Sequence, residues 1–330
     1  MEPLVQLRRL MNIVYYNGDF MPSEQATIPI MDRGFLYSDS IYETLPIERG
    51  SCFSLEDHLQ RLNNNLENIH ITPPLTNEQW HTICSKLITR NQLQKHRAFI
   101  YLHITRGAAK DRHLQIPKQI TPTVLAFCGI VPKEQTQHYR DGYRVIVTED
   151  TRRRDRFIKA TGLLPNILAF EQAQQAGVDD VIFQHNGYAL ESTSSNLFIV
   201  RDETLITPPA SYEIVNGITR QTVLKLAEQH HIKHEERPIS LDELRAADEI
   251  WLTASNKDLV PVIQLNGQRI GNGSAGPMWL QFTLYLKLHK RKTTTALVTT
   301  EDNIEGYFDM STQDTDNTSS QPMEFPCEFF

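Results

Sequence analysis

Lys159 stands in the stretch Arg156-Phe157-Ile158-Lys159-Ala160-Thr161-Gly162-Leu163-Leu164-Pro165-Asn166, and three polar clusters follow it. They are Glu191-Ser192-Thr193-Ser194-Ser195-Asn196, Asn216-Gly217-Ile218-Thr219-Arg220 and Thr253-Ala254-Ser255-Asn256. In this order they supply what an aldehyde cofactor bound to the lysine would need. The amine condenses with an aldehyde when burial or cationic neighbours lower its pKa. A carboxylate such as Glu191, held near a protonated pyridine nitrogen, keeps that ring cationic and able to accept electrons from a breaking bond between Cα and its hydrogen. Residues 217–220 sit where loop becomes helix, so the amides of Ile218 and Thr219 and the Thr219 hydroxyl can converge on an anion at the positive end of the helix dipole. Ser255, after a strand, adds a second set of donors. Arg61 lies about 100° around its helix from Leu62, where its guanidinium can close over a phosphate. Taken singly each has an ordinary explanation: a strand lysine reaching solvent, a strand-end glutamate, a threonine cap, a turn, a solvated arginine. Their order and spacing carry the chemistry.

The elements that must position these residues are legible in outline. Asn12 to Tyr16 and Ser51 to Phe53 read as strands, and Ser54-Leu55-Glu56-Asp57 comes close to a capping box at a helix start. Leu55, Leu59, Leu62, Leu66 and Ile69 then form one apolar stripe. A second helix, Thr76 to about Gln92, puts Trp80, Ile83, Cys84, Leu87 and Ile88 on one face, ahead of strands at 98–105 and 123–131. The polar segment Pro132 to Asp141 lacks apolar periodicity and suits a connector. Beyond it come a strand at 143–148, a helix opening at Pro165 and closing before Gly177, strands around the turn Asn186-Gly187, a helix from Thr219, and strands at 249–252 and 259–265. Met278 to Leu288 alternates like a strand, yet Leu280, Leu284 and Leu288 also fit helical spacing, and the opening Gly276-Pro277 favours helix. The expected organisation is α+β in two domains: a smaller N-terminal one over 1–131, a connector over 132–141, a larger cofactor-binding domain over 142–292, and a disordered polar tail over 293–330.

Composition excludes several function classes. The chain has 330 residues, 40% hydrophobic and 22% charged, with a net charge of −7. That balance gives no electrostatic grip on nucleic acid or an anionic membrane, and the run Arg152-Arg153-Arg154 is broken at once by Asp155. No apolar signal core stands in Met1 to Asn12 and no stretch approaches the roughly 20 apolar residues of a membrane span, so a cytoplasmic location is expected. Cys52, Cys84, Cys128 and Cys327 are far apart, which fits reduced thiols better than a disulfide frame or a zinc site, and no metal is expected. Gly271-Asn272-Gly273-Ser274-Ala275-Gly276 matches a dinucleotide pattern but lacks the following strand and acidic residue that such a fold requires.

With these residues in order, the chain resembles the class IV pyridoxal-phosphate aminotransferases, and within them the D-amino-acid aminotransferases, over residues 12 to 290. The carrying stretches are residues 31–43 (Met31-Asp32-Arg33-Gly34-Phe35-Leu36-Tyr37-Ser38-Asp39-Ser40-Ile41-Tyr42-Glu43), His58-Leu59-Gln60-Arg61-Leu62, Ile158-Lys159, Leu190 to Asn196, and Asn216 to Arg220. The resemblance implies that Lys159 holds pyridoxal 5′-phosphate as a Schiff base and then moves a proton between Cα and the cofactor. It implies that Glu191 pairs with the pyridine nitrogen, that Arg61, Ile218, Thr219 and Ser255 hold the phosphate, and that Tyr42 faces the substrate carboxylate. It further implies a homodimer whose active sites borrow a loop from the partner.

That loop is where the sequence departs. The family's D-amino-acid members carry Arg-x-His before Phe-Pro, and the two basic residues help trap the substrate carboxylate. Here Thr105-Arg106-Gly107 leads through Arg112-His113-Leu114-Gln115-Ile116 to Pro117, so Arg112 is in place while His113 comes one position early. Ser38 and Ser40 also replace the two glycines usual around Asp39, which reshapes the turn beside Tyr42. The implied activity is transamination between D-amino acids, such as D-alanine or D-glutamate, and 2-oxo acids. Branched-chain L-amino-acid aminotransferase and aminodeoxychorismate lyase are the alternatives. Thr253-Ala254-Ser255-Asn256 counts against the first, which usually carries a Gly-Thr-Ala-Ala type of segment, and Arg112 favours an amino-acid substrate over the second. A cofactor-binding relative without turnover is a further alternative, because fold and cofactor do not fix activity.

Overall fold

The computed structural model describes residues 13–293. The expected tail and the N-terminal stretch without a signal core lie almost wholly outside them. Within them, helices and sheets mix as α+β. β1 (Ile13–Tyr16) returns through Asn17-Gly18 as β2 (Asp19–Pro22), and a short helix α1 (Arg33–Tyr37) leads into β3 (Ser40–Glu48) and β4 (Ser51–Cys52). With β5 (Ala98–Thr105) and β6 (Thr123–Ile130) they form a six-stranded antiparallel sheet, ordered β2-β1-β6-β5-β3-β4. Alternation on β3 sends Ile41, Glu43 and Leu45 into one face, leaving Tyr42 and Thr44 on the other, half-buried. The buried face is covered by α2 (Leu55–Asn68) and α3 (Asn77–Arg90), whose stripes deliver Leu59, Leu62, Leu66 and Trp80, Ile83, Leu87 to one core.

One local expectation is corrected. Ser54 does not cap α2: it sits in the left-handed region at φ 50°, ψ 40°, makes no cap hydrogen bond, and is used to turn the chain out of β4. The capping box forms instead on α3, where Gln79 N donates to Thr76 Oγ1 (3.3 Å) and Thr76 N donates to Gln79 Oε1 (2.8 Å). The polar segment 132–141 folds as a helix, α4 (Lys133–Asp141), although it lacks an apolar period. Pro132 precedes it with φ near −60°, as a helix entry allows, and a single apolar residue, Tyr139, is buried against Tyr143.

β7 (Tyr143–Glu149), α5 (Leu164–Gln175), β8 (Asp180–His185), β9 (Tyr188–Ser192), β10 (Asn196–Arg201) and β11 (Thr204–Thr207) follow. Next come α6 (Ile218–Gln229), β12 (His234–Glu236), β13 (Ile239–Ser240), α7 (Leu241–Arg245), β14 (Glu249–Ala254), β15 (Asp258–Leu265), β16 (Gln268–Arg269) and α8 (Pro277–Thr293). The second sheet runs β12-β11-β10-β14-β15-β7-β8-β9-β13, and a further pairing of β9 with β10 closes the six strands from β10 to β9 into a ring. Val145, Ile182, Leu197, Leu252 and Val260 fill its core. The Asn186-Gly187 turn joins β8 to β9 with φ of 51° and 83°, the values a two-residue hairpin needs, and Asn17-Gly18 and Asn266-Gly267 repeat that chemistry. Among the described residues no helix is long and apolar enough to cross a membrane.

The glycine-rich run before α8 has a structural use. Gly276 leaves room for Glu249, whose carboxylate accepts from Met278 N, Trp279 N and Trp251 Nε1, each at 2.9 Å, and so caps the helix from the adjoining strand. A Cβ on residue 276 would lie 2.1 Å from Glu249 Cδ. Gly276→Ala is therefore expected to destabilise the fold by about 1–3 kcal/mol as those donors lose their acceptor. Thermal unfolding would show a midpoint lower by roughly 2–4 °C per kcal/mol, and an unchanged midpoint would refute the cap.

Candidate active site

Lys159 is carried on the segment between β7 and α5, where an antiparallel bridge joins Ala160 to Ile41 and the Lys159 carbonyl accepts from Tyr42 N at 3.1 Å. This pins the lysine to β3. Its Nζ lies 4.1 Å from the centre of the Tyr42 ring and has no hydrogen-bond or ion-pair partner among the described residues. The two serines of the turn beside Tyr42 contribute here. Ser38 takes the left-handed conformation at φ 56° that a glycine would adopt without strain, and the buried Ser40 hydroxyl bonds to Thr161, two residues past the lysine.

Lys159 and Tyr42 open on a cavity of about 260 Å³, which Glu191, Arg61, Ile218, Thr219 and Ser255 also line. The structure thus brings together seven of the nine residues singled out above. Arg112 and His113 are the exceptions. Both are exposed, on the loop after β5; Arg112 packs over the Tyr37 ring at 5.3 Å, and the His113 carbonyl accepts from Arg33 Nη1 at 2.7 Å.

Glu191 closes the ring of strands opposite Asn196 and is buried. Its Oε1 accepts from Arg152 Nη1 at 2.6 Å, and its Oε2 from Asn196 Nδ2 at 3.1 Å and Val215 N at 3.2 Å. Burial pushes its pKa up, against the pull of Arg152. Arg152 is in turn held by the buried Asp150 at 2.8 Å and lies over the Phe183 ring at 4.2 Å.

Arg61 is positioned by a carboxylate that the spacing of motifs does not reveal. Glu43, fully buried on β3, accepts from Arg61 Nε at 2.7 Å and Nη2 at 2.8 Å and bonds to His58 Nδ1 at 2.9 Å. Arg61 Nη1 donates to the Asn216 carbonyl at 2.9 Å, which ties α2 to the entry of α6. Burial raises the Glu43 pKa, but Arg61 and His58 outweigh it and hold the carboxyl well below the usual carboxylate range. Burial also lowers His58, with Glu43 opposing.

At that entry Gly217, not Thr219, is the N-cap, and no side chain caps the helix. A Cβ there would meet Asn196 Oδ1 at 2.1 Å, so glycine is what lets the loop pass close to β10 and leaves the first amides of α6 without a capping side chain. Ser195 Oγ and Thr253 Oγ1, also on the cavity wall, are buried without a hydrogen-bond partner among the described residues. The arginine run offers a signal for the unforeseen residues: Asp150, Arg152 and Arg156 lie within ten residues of the lysine, and Asp150 pairs with both arginines.

Similarity to known proteins agrees with this geometry. The model of the family described as amino-transferase class IV matches residues 40–265. A D-alanine aminotransferase of Bacillus licheniformis is 32% identical over 265 residues, 80% of this chain and 92% of that protein. A Methanocaldococcus jannaschii protein provisionally named a branched-chain-amino-acid aminotransferase is 34% identical over 269 residues, 80% of this chain and 91% of its own length. In fold, the chain is similar to the branched-chain amino acid aminotransferase of Escherichia coli, with a TM-score of 0.79 at 22% identity over 86% of this chain and 97% of that one. Because the family model spans more than half of the chain and takes in Tyr42, Lys159, Glu191 and Ser255, the chain belongs to the class IV aminotransferases, whose cofactor is pyridoxal 5′-phosphate.

Proposed function

We propose that this aminotransferase exchanges an amino group between D-amino acids, such as D-alanine and D-glutamate, and 2-oxo acids. The observation that carries transamination at this site is the placement of Lys159: its amine is unpaired among the described residues, sits against Tyr42, and shares one cavity with Glu191 and the uncapped start of α6. The D preference is supported by the 32% identity to a D-alanine aminotransferase across most of both chains.

The residues present fit pyridoxal 5′-phosphate. The partnerless hydroxyls of Ser195 and Thr253 and the open amides of α6 are donors awaiting an anion. Arg61, Ile218, Thr219 and Ser255 would hold the phosphate, and Lys159 the aldehyde carbon. When bound, the cofactor supplies an electron sink for the carbanion character that develops at the substrate Cα. Glu191, its pKa raised by burial, would gain a cationic partner in a protonated ring nitrogen and would hold that proton in place. Lys159 Nζ takes the Cα proton, and Tyr42 orients the substrate carboxylate. Arg112, with His113 beside it, would reach the second site of a homodimer. Exposed Ile30, Phe35 and Leu114 near that loop support burial against another copy. Reduced thiols and the net charge of −7 suit a cytoplasmic enzyme.

The branched-chain reading is kept as a second one, because the 34% identity to the Methanocaldococcus jannaschii protein favours it. A coupled assay with D-alanine, L-alanine and L-leucine, each with 2-oxoglutarate, beside a lyase assay on aminodeoxychorismate, separates the readings. Selective D-alanine turnover is expected. Turnover of L-leucine alone, or lyase activity alone, would overturn the D-amino-acid assignment and leave the family intact.

A further inference from the structure

We propose that Arg153 receives a second, side-chain carboxylate of the substrate, so that the site prefers a dicarboxylic amino acid and its 2-oxo acid to alanine and pyruvate. This rests on the reading of the cavity as the transamination site. Five cationic side chains line it: Arg61, Arg152, Arg153, Arg156 and Lys159. Three of them are already matched by carboxylates. Arg61 pairs with Glu43 at 2.7 Å, Arg152 with Asp150 at 2.8 Å and Glu191 at 2.6 Å, and Arg156 with Asp150 at 3.2 Å. Lys159 is reserved for the cofactor. Arg153 is left over, and among the described residues it forms no ion pair.

Arg153 is nevertheless held in place. Its Nη2 donates to the Ile158 carbonyl at 2.8 Å, one residue before the lysine, so this exposed side chain is tethered where it lines the cavity, with most of its five donors unused. Partial desolvation lowers its pKa while Asp155 and Tyr42 oppose that shift, which marks Tyr42 as a neighbour, and an arginine remains charged regardless. Its flanking residues point to other tasks, Arg152 to Glu191 and Arg154 to the Tyr212 ring at 5.4 Å. A rigid planar fork lacking an anion, on the wall of an amino-acid site, matches a carboxylate bidentately. In the reading above, the α-carboxylate already has Tyr42 and the partner subunit's Arg112, which leaves Arg153 for a second one.

The test titrates the full-length, cofactor-loaded protein with glutarate and with butyrate by calorimetry, in the wild type, Arg153→Gln and Arg153→Lys, and compares kcat/KM for D-glutamate and D-alanine. Wild type is expected to bind glutarate more tightly than butyrate, and Arg153→Gln to shrink that ratio on the order of 10- to 100-fold, with Arg153→Lys restoring part of it. The kcat/KM ratio of glutamate to alanine should fall in step. Equal losses for the mono- and dicarboxylate would overturn the proposal, making Arg153 an α-carboxylate or structural residue, and so would unchanged affinities. If no amino acid is turned over, the transaminase reading fails by itself, and the glutarate ratio still decides the role of Arg153.

Discussion

Lys159→Ala is expected to lower transamination by roughly 10³-fold or more, because one side chain both anchors the cofactor and carries the Cα proton. Two physical roles are lost with a single amine, so neither a higher cofactor concentration nor a higher substrate concentration restores the rate. The fold should survive the change: among the described residues Lys159 Nζ has no hydrogen bond or ion pair to lose, and the chain is held to β3 by main-chain contacts of Lys159 and Ala160 that alanine keeps. The visible absorbance of the lysine-bound cofactor would vanish while the thermal midpoint of the cofactor-free protein stays close to wild type. Residual turnover near the wild-type level would sink the assignment of Lys159. A wild type that binds the cofactor but turns over neither D- nor L-amino acids would instead favour a binding protein without catalysis.

What could be read before the structure, and what could not, follows from how far apart the partners lie. The stripe of Leu59, Leu62 and Leu66 and the turn at Asn186-Gly187 are local, so periodicity and turn chemistry suffice to place them. Lys159, Glu191 and the Gly217 segment are legible as separate clusters because each is a local run of residues, the last two at a strand end and a helix start. Their convergence is not, since it depends on β9 pairing with β10 and on Ala160 bridging to Ile41. Glu43 and Arg152 escaped because the residues they serve, Arg61 and Glu191, are 18 and 39 positions away. The left-handed Ser54 and the helix within 132–141 are hidden from the sequence for a different reason. A capping pattern does not say whether the backbone enters the helix extended or left-handed, and one buried tyrosine can hold a helix that shows no apolar period.

Glu43→Ala is expected to be the most destabilising single change near the site, at about 3–5 kcal/mol, because it removes the one carboxylate that balances Arg61 in a buried setting. The loss should appear twice: in denaturant unfolding, and as weaker cofactor binding once the Arg61 guanidinium is free to leave the entry of α6. Replacement by glutamine keeps the shape but not the charge, so Glu43→Gln should retain more stability than alanine and still weaken the cofactor. The same cluster sets a pH dependence whose sign is fixed by its shifts. His58 and Glu43 both have folded-state pKa values below their ordinary ones, so each contributes stability that is present above its unfolded pKa and is lost as pH falls. For His58 the loss begins as pH drops below about 6.5, and for Glu43 below about 4.3, the ordinary values of the two groups. Unfolding measured from pH 8 to 4 should therefore show stability declining on the acid side, with a shallower decline in Glu43→Gln at the lowest pH. A wild type whose stability rises on acidification through this range would mean that the pair is not held as Glu43 carboxylate and neutral His58, and the case for Glu43 as the residue that positions Arg61 would fall with it.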